Sequence, residues 1–210
     1  MAYAFFARKR GGQVKCLYRQ TGKDNHCGSD ADSLRELTAS EEVYRYLPTF
    51  LFEKHSEDAA QTIRHMYDEG MKKSLILGVF TDGEFCGLAE IYGYRAPLLK
   101  ASIGYRLSER FWGQGIATKI PALPEAYLFY ETDVRMITAS VMPENKASER
   151  VPEKNGFRCV MHEVLEYRGN HKVVKVDKGI KTEGDIMRPY TFHKSLPFST
   201  THDGSITHNE

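Results

Sequence analysis

The stretch from Ala101 to Ala117, ASIGYRLSERFWGQGIA, constrains this chain more than any other. Ile103, Tyr105 and Leu107 alternate with Ser102, Gly104 and Arg106, which predicts a half-buried strand over Ala101–Leu107. A short loop follows, and Trp112-Gly113-Gln114-Gly115-Ile116-Ala117 leads into a helix. Small residues at 113, 115 and 117 leave room for a ligand to approach the backbone. The first N–H groups of a helix have no intrahelical partner, and the helix dipole adds partial positive charge there. The combination suits a phosphate. Two glycines one residue apart also occur in ordinary turns, so Gly113 and Gly115 alone leave both readings open. Neither common nucleotide fingerprint fits. A Walker loop ends in Gly-Lys-Ser/Thr, but Gly115 is followed by Ile116. The dinucleotide fingerprint needs a third small residue three positions after the second glycine, and Thr118 is there, but no acidic residue follows at the expected distance after a second strand.

A second stretch has to be read with the first. Met136–Val141 is a strand-like run, and Pro143-Glu144-Asn145-Lys146-Ala147-Ser148-Glu149-Arg150-Val151-Pro152-Glu153-Lys154-Asn155-Gly156-Phe157 follows it. An Asn opens this helix and a Gly-Phe closes it. The stretch resembles the second cofactor motif of the GNAT N-acetyltransferases, and the strand, WGQGIAT and helix before it look like their pyrophosphate loop. The pair IGYRLSERFWGQGIATK and NKASERVPEKNGF most resembles the branch that includes the ribosomal-protein alanine acetyltransferases. The resemblance covers about residues 30–180. It implies an α/β (α+β) GNAT fold, a mixed, mostly antiparallel central sheet flanked by helices, over residues 29–180. Residues 1–28 are then an N-terminal extension or a displaced first strand, with Gln13–Tyr18 as that strand, or else a mobile tail. Residues 181–210 are polar and read as a loose C-terminal tail, in which Tyr190, Phe192 and Leu196 are the docking candidates.

Composition narrows the partners. Lys plus Arg is 29 against 28 Asp plus Glu, a formal net charge of +1, so no general electrostatic grip on nucleic acid is expected. Cys16, Cys27, Cys86 and Cys159 are scattered without metal-ligand spacing, which suggests reduced thiols in the cytoplasm and no metal. No apolar run is long enough to span a membrane. A monomer or homodimer is expected.

Helices are predicted over Asp30–Ala39, capped by Ser29 or Asp30, over Glu41–Leu47, stopping at Pro48, and over Ser56–Glu69. In the family such helices help form the acceptor groove. Tyr44, Tyr46 and Phe50 are candidates to line it, and the plainer reading makes them core or rim aromatics. Ser74–Phe80 and Glu84–Tyr92 read as a hairpin across Asp82-Gly83, with a loop at Arg95–Lys100. Phe157–Tyr167 and His171–Asp177 read as another across Gly169-Asn170. A single helix is expected from Ala117 to Glu131, yet Pro121 and Pro124 lie inside it, and Pro152 lies inside the helix of the second motif. Three interior prolines at roughly 3 kcal/mol each would oppose about 9 kcal/mol of stability. On that count, Leu at the three positions should raise stability by several kcal/mol.

The resemblance also implies a chemistry. Acetyl-CoA would be held with its pyrophosphate on the backbone N–H groups of Trp112, Gly113, Gln114, Gly115, Ile116, Ala117 and Thr118, and its pantetheine arm along the strand ending at Leu107. That strand should splay from Met136–Val141 and free backbone groups for the arm. Asn145 would bond the cofactor, cap the helix, or both. Many family members place a Tyr acid seven residues after this Asn, where the present chain has Pro152. The branch it resembles can use the Ser three residues after the Asn, here Ser148, as the proton donor. A hydroxyl near a helix start is equally a capping device. For the base that takes the amine proton, Glu90 is the first candidate and Glu166 the second. Glu90 could also be a plain solvent-facing strand residue, and His162 a base or a surface residue. The acceptor expected is a protein N-terminal amine of the ribosomal-protein type. A small-molecule amine and a non-catalytic acyl-CoA-binding module are the alternatives.

Overall fold

The computed structural model describes residues 4–8, 13–17, 27–47, 75–167 and 173–185. The predicted helix over Ser56–Glu69, Phe50, the turn Gly169-Asn170 and the docking candidates Tyr190, Phe192 and Leu196 lie outside the described residues. Among the described residues eight strands form one sheet: β1 (Ala4–Arg8), β2 (Gln13–Leu17), β3 (Leu75–Thr81), β4 (Glu84–Arg95), β5 (Lys100–Leu107), β6 (Met136–Val141), β7 (Arg158–Tyr167) and β8 (Val173–Thr182). Their order is β1-β2-β3-β4-β5-β6-β8-β7. Every neighbouring pair is antiparallel except β5 with β6, which run parallel. The helices are α1 (Cys27–Ala39), α2 (Glu41–Tyr44), α3 (Ile116–Lys119), α4 (Ala122–Glu131) and α5 (Lys146–Lys154).

Alternation along the strands gives the sheet two apolar faces. Leu77, Val79, Ala89 and Leu107 pack with Ile116, Ile120 and Leu123 of the α3–α4 segment. Ile91, Ala101, Ile103 and Ile137 continue that layer under Leu128 and Phe129 of α4. On the opposite face Ile76, Phe80, Phe85 and Leu88 pack with Leu37 of α1 and Val43 and Tyr44 of α2. Tyr44 is therefore core, and Tyr46 is half-buried at the rim. The Asp82-Gly83 turn joins β3 to β4 with both residues at positive φ, 50° and 87°, as a two-residue hairpin requires.

Several boundaries differ from the sequence reading. Of the readings for the N-terminal residues, the strand describes Gln13–Leu17, which pairs with β3 and in turn with β1. Helix α1 begins at Cys27, ahead of the expected Asp30, and a 3-10 turn at Ala96–Leu98 occupies the expected loop. The single helix expected over Ala117–Glu131 is two, α3 and α4, and this corrects the proline argument. Pro121 is the residue before α4, at φ −56°, and its carbonyl accepts the first bond of the helix from Glu125 N–H at 3.1 Å. Pro124 lies in the first turn, where a missing N–H costs nothing. Its usual acceptor, Ile120 O, already takes Leu123 N–H at 3.1 Å. Of these three, only Pro152 is interior to a helix. The penalty drops from about 9 to about 3 kcal/mol.

Candidate active site

Strands β5 and β6 pair only over Lys100–Ser102 and Met136–Thr138. Beyond that point β5 runs on to Leu107 and β6 to Val141, each bonded on its outer side to β4 and β8. The two strands thus diverge into a wedge whose inner edges are backbone not used in the sheet. Thr138 marks its closed end, where its hydroxyl meets Ser102 Oγ at 2.8 Å.

The loop after β5 closes one side of the wedge. Trp112 Nε1 donates to Leu107 O at 2.9 Å, and Gln114 Nε2 donates to Arg110 O at 2.7 Å, so both side chains shape the loop. Gly113 and Gly115 have φ of 72° and 73°, a region L side chains rarely adopt, and a Cβ at either would face open space. Gly115 is the residue before α3, Ile116 is buried under the loop, and Ala117 and Thr118 are half-buried. Asn155 Nδ2 donates to Thr118 O at 3.0 Å and ties α3 to the end of α5. Sequence reasoning passed over Asn155, because the two residues are far apart in the chain.

The start of α5 forms the other side. Asn145 Oδ1 accepts from Ser148 N–H at 3.2 Å, so Asn145 caps the helix and the Ser148 hydroxyl is left for other work. Tyr105 O–H donates to Ser148 Oγ at 3.2 Å. Burial pushes the Tyr105 phenol upward and keeps it protonated, so it has a proton to donate. Tyr105 was not singled out in the sequence, where only its alternation was visible.

Glu90 corrects one expectation. It is buried, not solvent-facing, and its carboxylate accepts from the Arg106 guanidinium, itself almost fully enclosed. Glu90 lies opposite Gly104 on β5, and Arg106 lies opposite Leu88 on β4. The pair is therefore diagonal across two strands, on the face covered by α1 and α2. Gly104 carries no side chain there, and the Tyr92 ring lies against it, 3.4 Å from where a Cβ would stand. Glu166 is on β7 and faces Lys178 at 3.7 Å. Four strand spacings, about 19 Å, separate it from Glu90, so one amine cannot use both. His162 is exposed, with Nδ1 3.6 Å from both Cys159 Sγ and Asp177 Oδ1, at a cavity of about 280 Å³ between α5 and β6–β8. Among the described residues no group of three His, Cys, Asp or Glu side chains is placed to hold a metal. No helix there is long and apolar enough to cross a membrane.

A wedge of free backbone that ends at a glycine loop and a helix start fits an extended ligand with an anionic end. Those features define an acyl-CoA-dependent acyltransferase. Residues 25–158 match the family model described as an acetyltransferase (GNAT) domain, and the chain belongs to that family. It is an acetyl-CoA-dependent N-acetyltransferase. YdaF of Bacillus subtilis (strain 168), named as a ribosomal N-acetyltransferase, is 27% identical over 134 residues, 61% of this chain and 72% of that protein. The fold resembles Mycobacterium smegmatis RimJ in complex with CoA-disulfide, with a TM-score of 0.69, 21% identity and 90% of each chain covered. It also resembles a spermidine N-acetyltransferase from Vibrio cholerae in complex with CoA and spermine, with a TM-score of 0.62, 18% identity and 82% and 95% of the two chains covered.

Proposed function

We propose that the acceptor is the N-terminal α-amino group of a protein, of the ribosomal-protein type, acetylated by direct attack. The observation that carries the reading is the wedge itself, with Tyr105 and Ser148 at one face and Glu90 and Arg106 at the other. YdaF, with its ribosomal name, supports the protein acceptor. Acetyl-CoA supplies an acyl group on a thioester whose sulfur leaves as a thiol. The backbone N–H groups of Gly113 to Thr118 would hold its pyrophosphate, and the inner edge of β5 up to Leu107 its pantetheine arm. Ser148 holds a proton at Oγ beside the wedge, where a departing sulfur needs one. Glu90 would take the amine proton through water, with Arg106 fixing the carboxylate. Glu166 is the less favoured base, because β8 stands between β7 and the strands of the wedge. In this reading the enzyme works in the cytoplasm as a monomer or homodimer and does not bind nucleic acid directly.

Turnover with an acceptor panel tests the proposal. An unblocked peptide N-terminus should exceed spermidine in kcat/KM by tenfold or more, a gap of about 1.4 kcal/mol in transition-state stabilisation. The same peptide with its N-terminus blocked and a lysine retained should be inert. Spermidine or another small amine turning over faster than every peptide would replace this acceptor with the small-molecule one.

A further inference from the structure

We infer that Tyr105 is the positioning residue for Ser148: its hydroxyl donates to Ser148 Oγ and leaves the serine's own proton aimed into the wedge between β5 and β6. This rests on the reading of Ser148 as the proton donor. A serine hydroxyl carries one proton. When its oxygen is occupied as an acceptor, that proton must point elsewhere, and the neighbouring open space is the wedge. The tyrosine is well suited to hold such a bond. Its ring packs against the core cluster of Leu77, Leu107, Ile116 and Ile120, so it has little freedom. Ser148 needs the help more than a residue in a regular helix does. Pro152 stands four residues further along α5 and has no N–H, so the Ser148 carbonyl lacks the donor that would lock its turn. Asn145 fixes the Ser148 N–H from the other end, at 3.2 Å. The backbone is held by Asn145, and the hydroxyl is held by Tyr105.

The test uses Tyr105→Phe, Ser148→Ala and the double variant, each checked for an unchanged unfolding midpoint. Tyr105→Phe should lower kcat about five- to tenfold, the worth of one hydrogen bond, and leave the KM for acetyl-CoA within about twofold. Ser148→Ala should lower kcat more, by about 100-fold or beyond. The double variant should match Ser148→Ala, because Tyr105 acts only through that hydroxyl. A readout without substrate accompanies these. In ligand-free protein labelled at the tyrosine Cζ carbons, the resonance lost in Tyr105→Phe should shift in Ser148→Ala. CoA should bind Tyr105→Phe with the wild-type dissociation constant. Unchanged kcat in Tyr105→Phe, multiplicative losses in the double variant, or an unmoved Cζ resonance would each overturn the inference. Full activity in Ser148→Ala would overturn the reading beneath it as well.

Discussion

Glu125 and Lys181 meet between α4 and β8, with Nζ 2.6 Å from Oε2 and both side chains about nine-tenths buried. The second carboxylate oxygen, Oε1, is buried without a hydrogen-bond partner among the described residues. Desolvation pushes Glu125 from 4.5 up to about 7, and the attraction of Lys181 only partly offsets this. The folded carboxyl therefore binds its proton more tightly than the unfolded one. Its stabilising contribution is complete below about pH 4.5 and is lost as pH rises through about 7. Glu125→Gln removes that titration. The stability of the wild type minus that of Glu125→Gln should fall by about 1–3 kcal/mol from pH 4.5 to pH 7.5, measured by denaturant unfolding at each pH. A flat difference would show that Lys181 compensates the burial in full. The Glu90–Arg106 pair belongs to the same scale. Nothing in the local sequence announced it, because a diagonal contact depends on the register of β4 against β5, and alternation alone suggested a solvent-facing residue.

At the scale of elements, proline position matters more than proline count. Pro121 and Pro124 flank the start of α4, where backbone N–H groups have no intrahelical use, whereas Pro152 interrupts α5. Pro152→Leu should raise unfolding stability by about 2–3 kcal/mol, helped by a side chain reaching the cavity beside Phe157. Pro121→Leu and Pro124→Leu should bring no such gain, because both sites are buried and the larger Leu would have to be forced into a packed core. Equal gains from all three, read from thermal melts, would return the account to three interior prolines. The helix break was hard to read because the run from Ala122 to Tyr130 continues a helical pattern and the backbone stays helical through Ile120 and Pro121, so the break lies only in the hydrogen bonds that the prolines cannot donate. Other elements were legible. The alternation in β5, the Asp82-Gly83 turn and the Asn145 cap each rest on neighbours in the chain, so local pattern suffices. The hairpin of β1 and β2 was half legible. Gln13–Tyr18 reads as a strand, but Ala4–Arg8 is short enough to pass for a tail.

For the whole molecule, the sheet and its one parallel pair create the site. Antiparallel neighbours on the outer sides hold β5 and β6 in place while their inner edges part, and the helices that follow each strand bring Gly115 and Asn145 to the mouth. The two motifs were visible as sequence, and the family followed from them. The contact between Tyr105 and Ser148, 43 residues apart, needed the fold to be seen. The most direct measurement is thermal unfolding with and without acetyl-CoA, on the wild type and on a variant carrying Gly113→Val and Gly115→Val. Ligand at about 100 times its Kd should add roughly 2.7 kcal/mol, about 5–10 °C in midpoint for a chain of this size. In the variant, side chains at two positive-φ positions should deform the loop, and the shift should disappear. No shift in a cooperatively folded wild type, or the same shift in the variant, would contradict the assignment of the wedge and its glycine loop to acetyl-CoA.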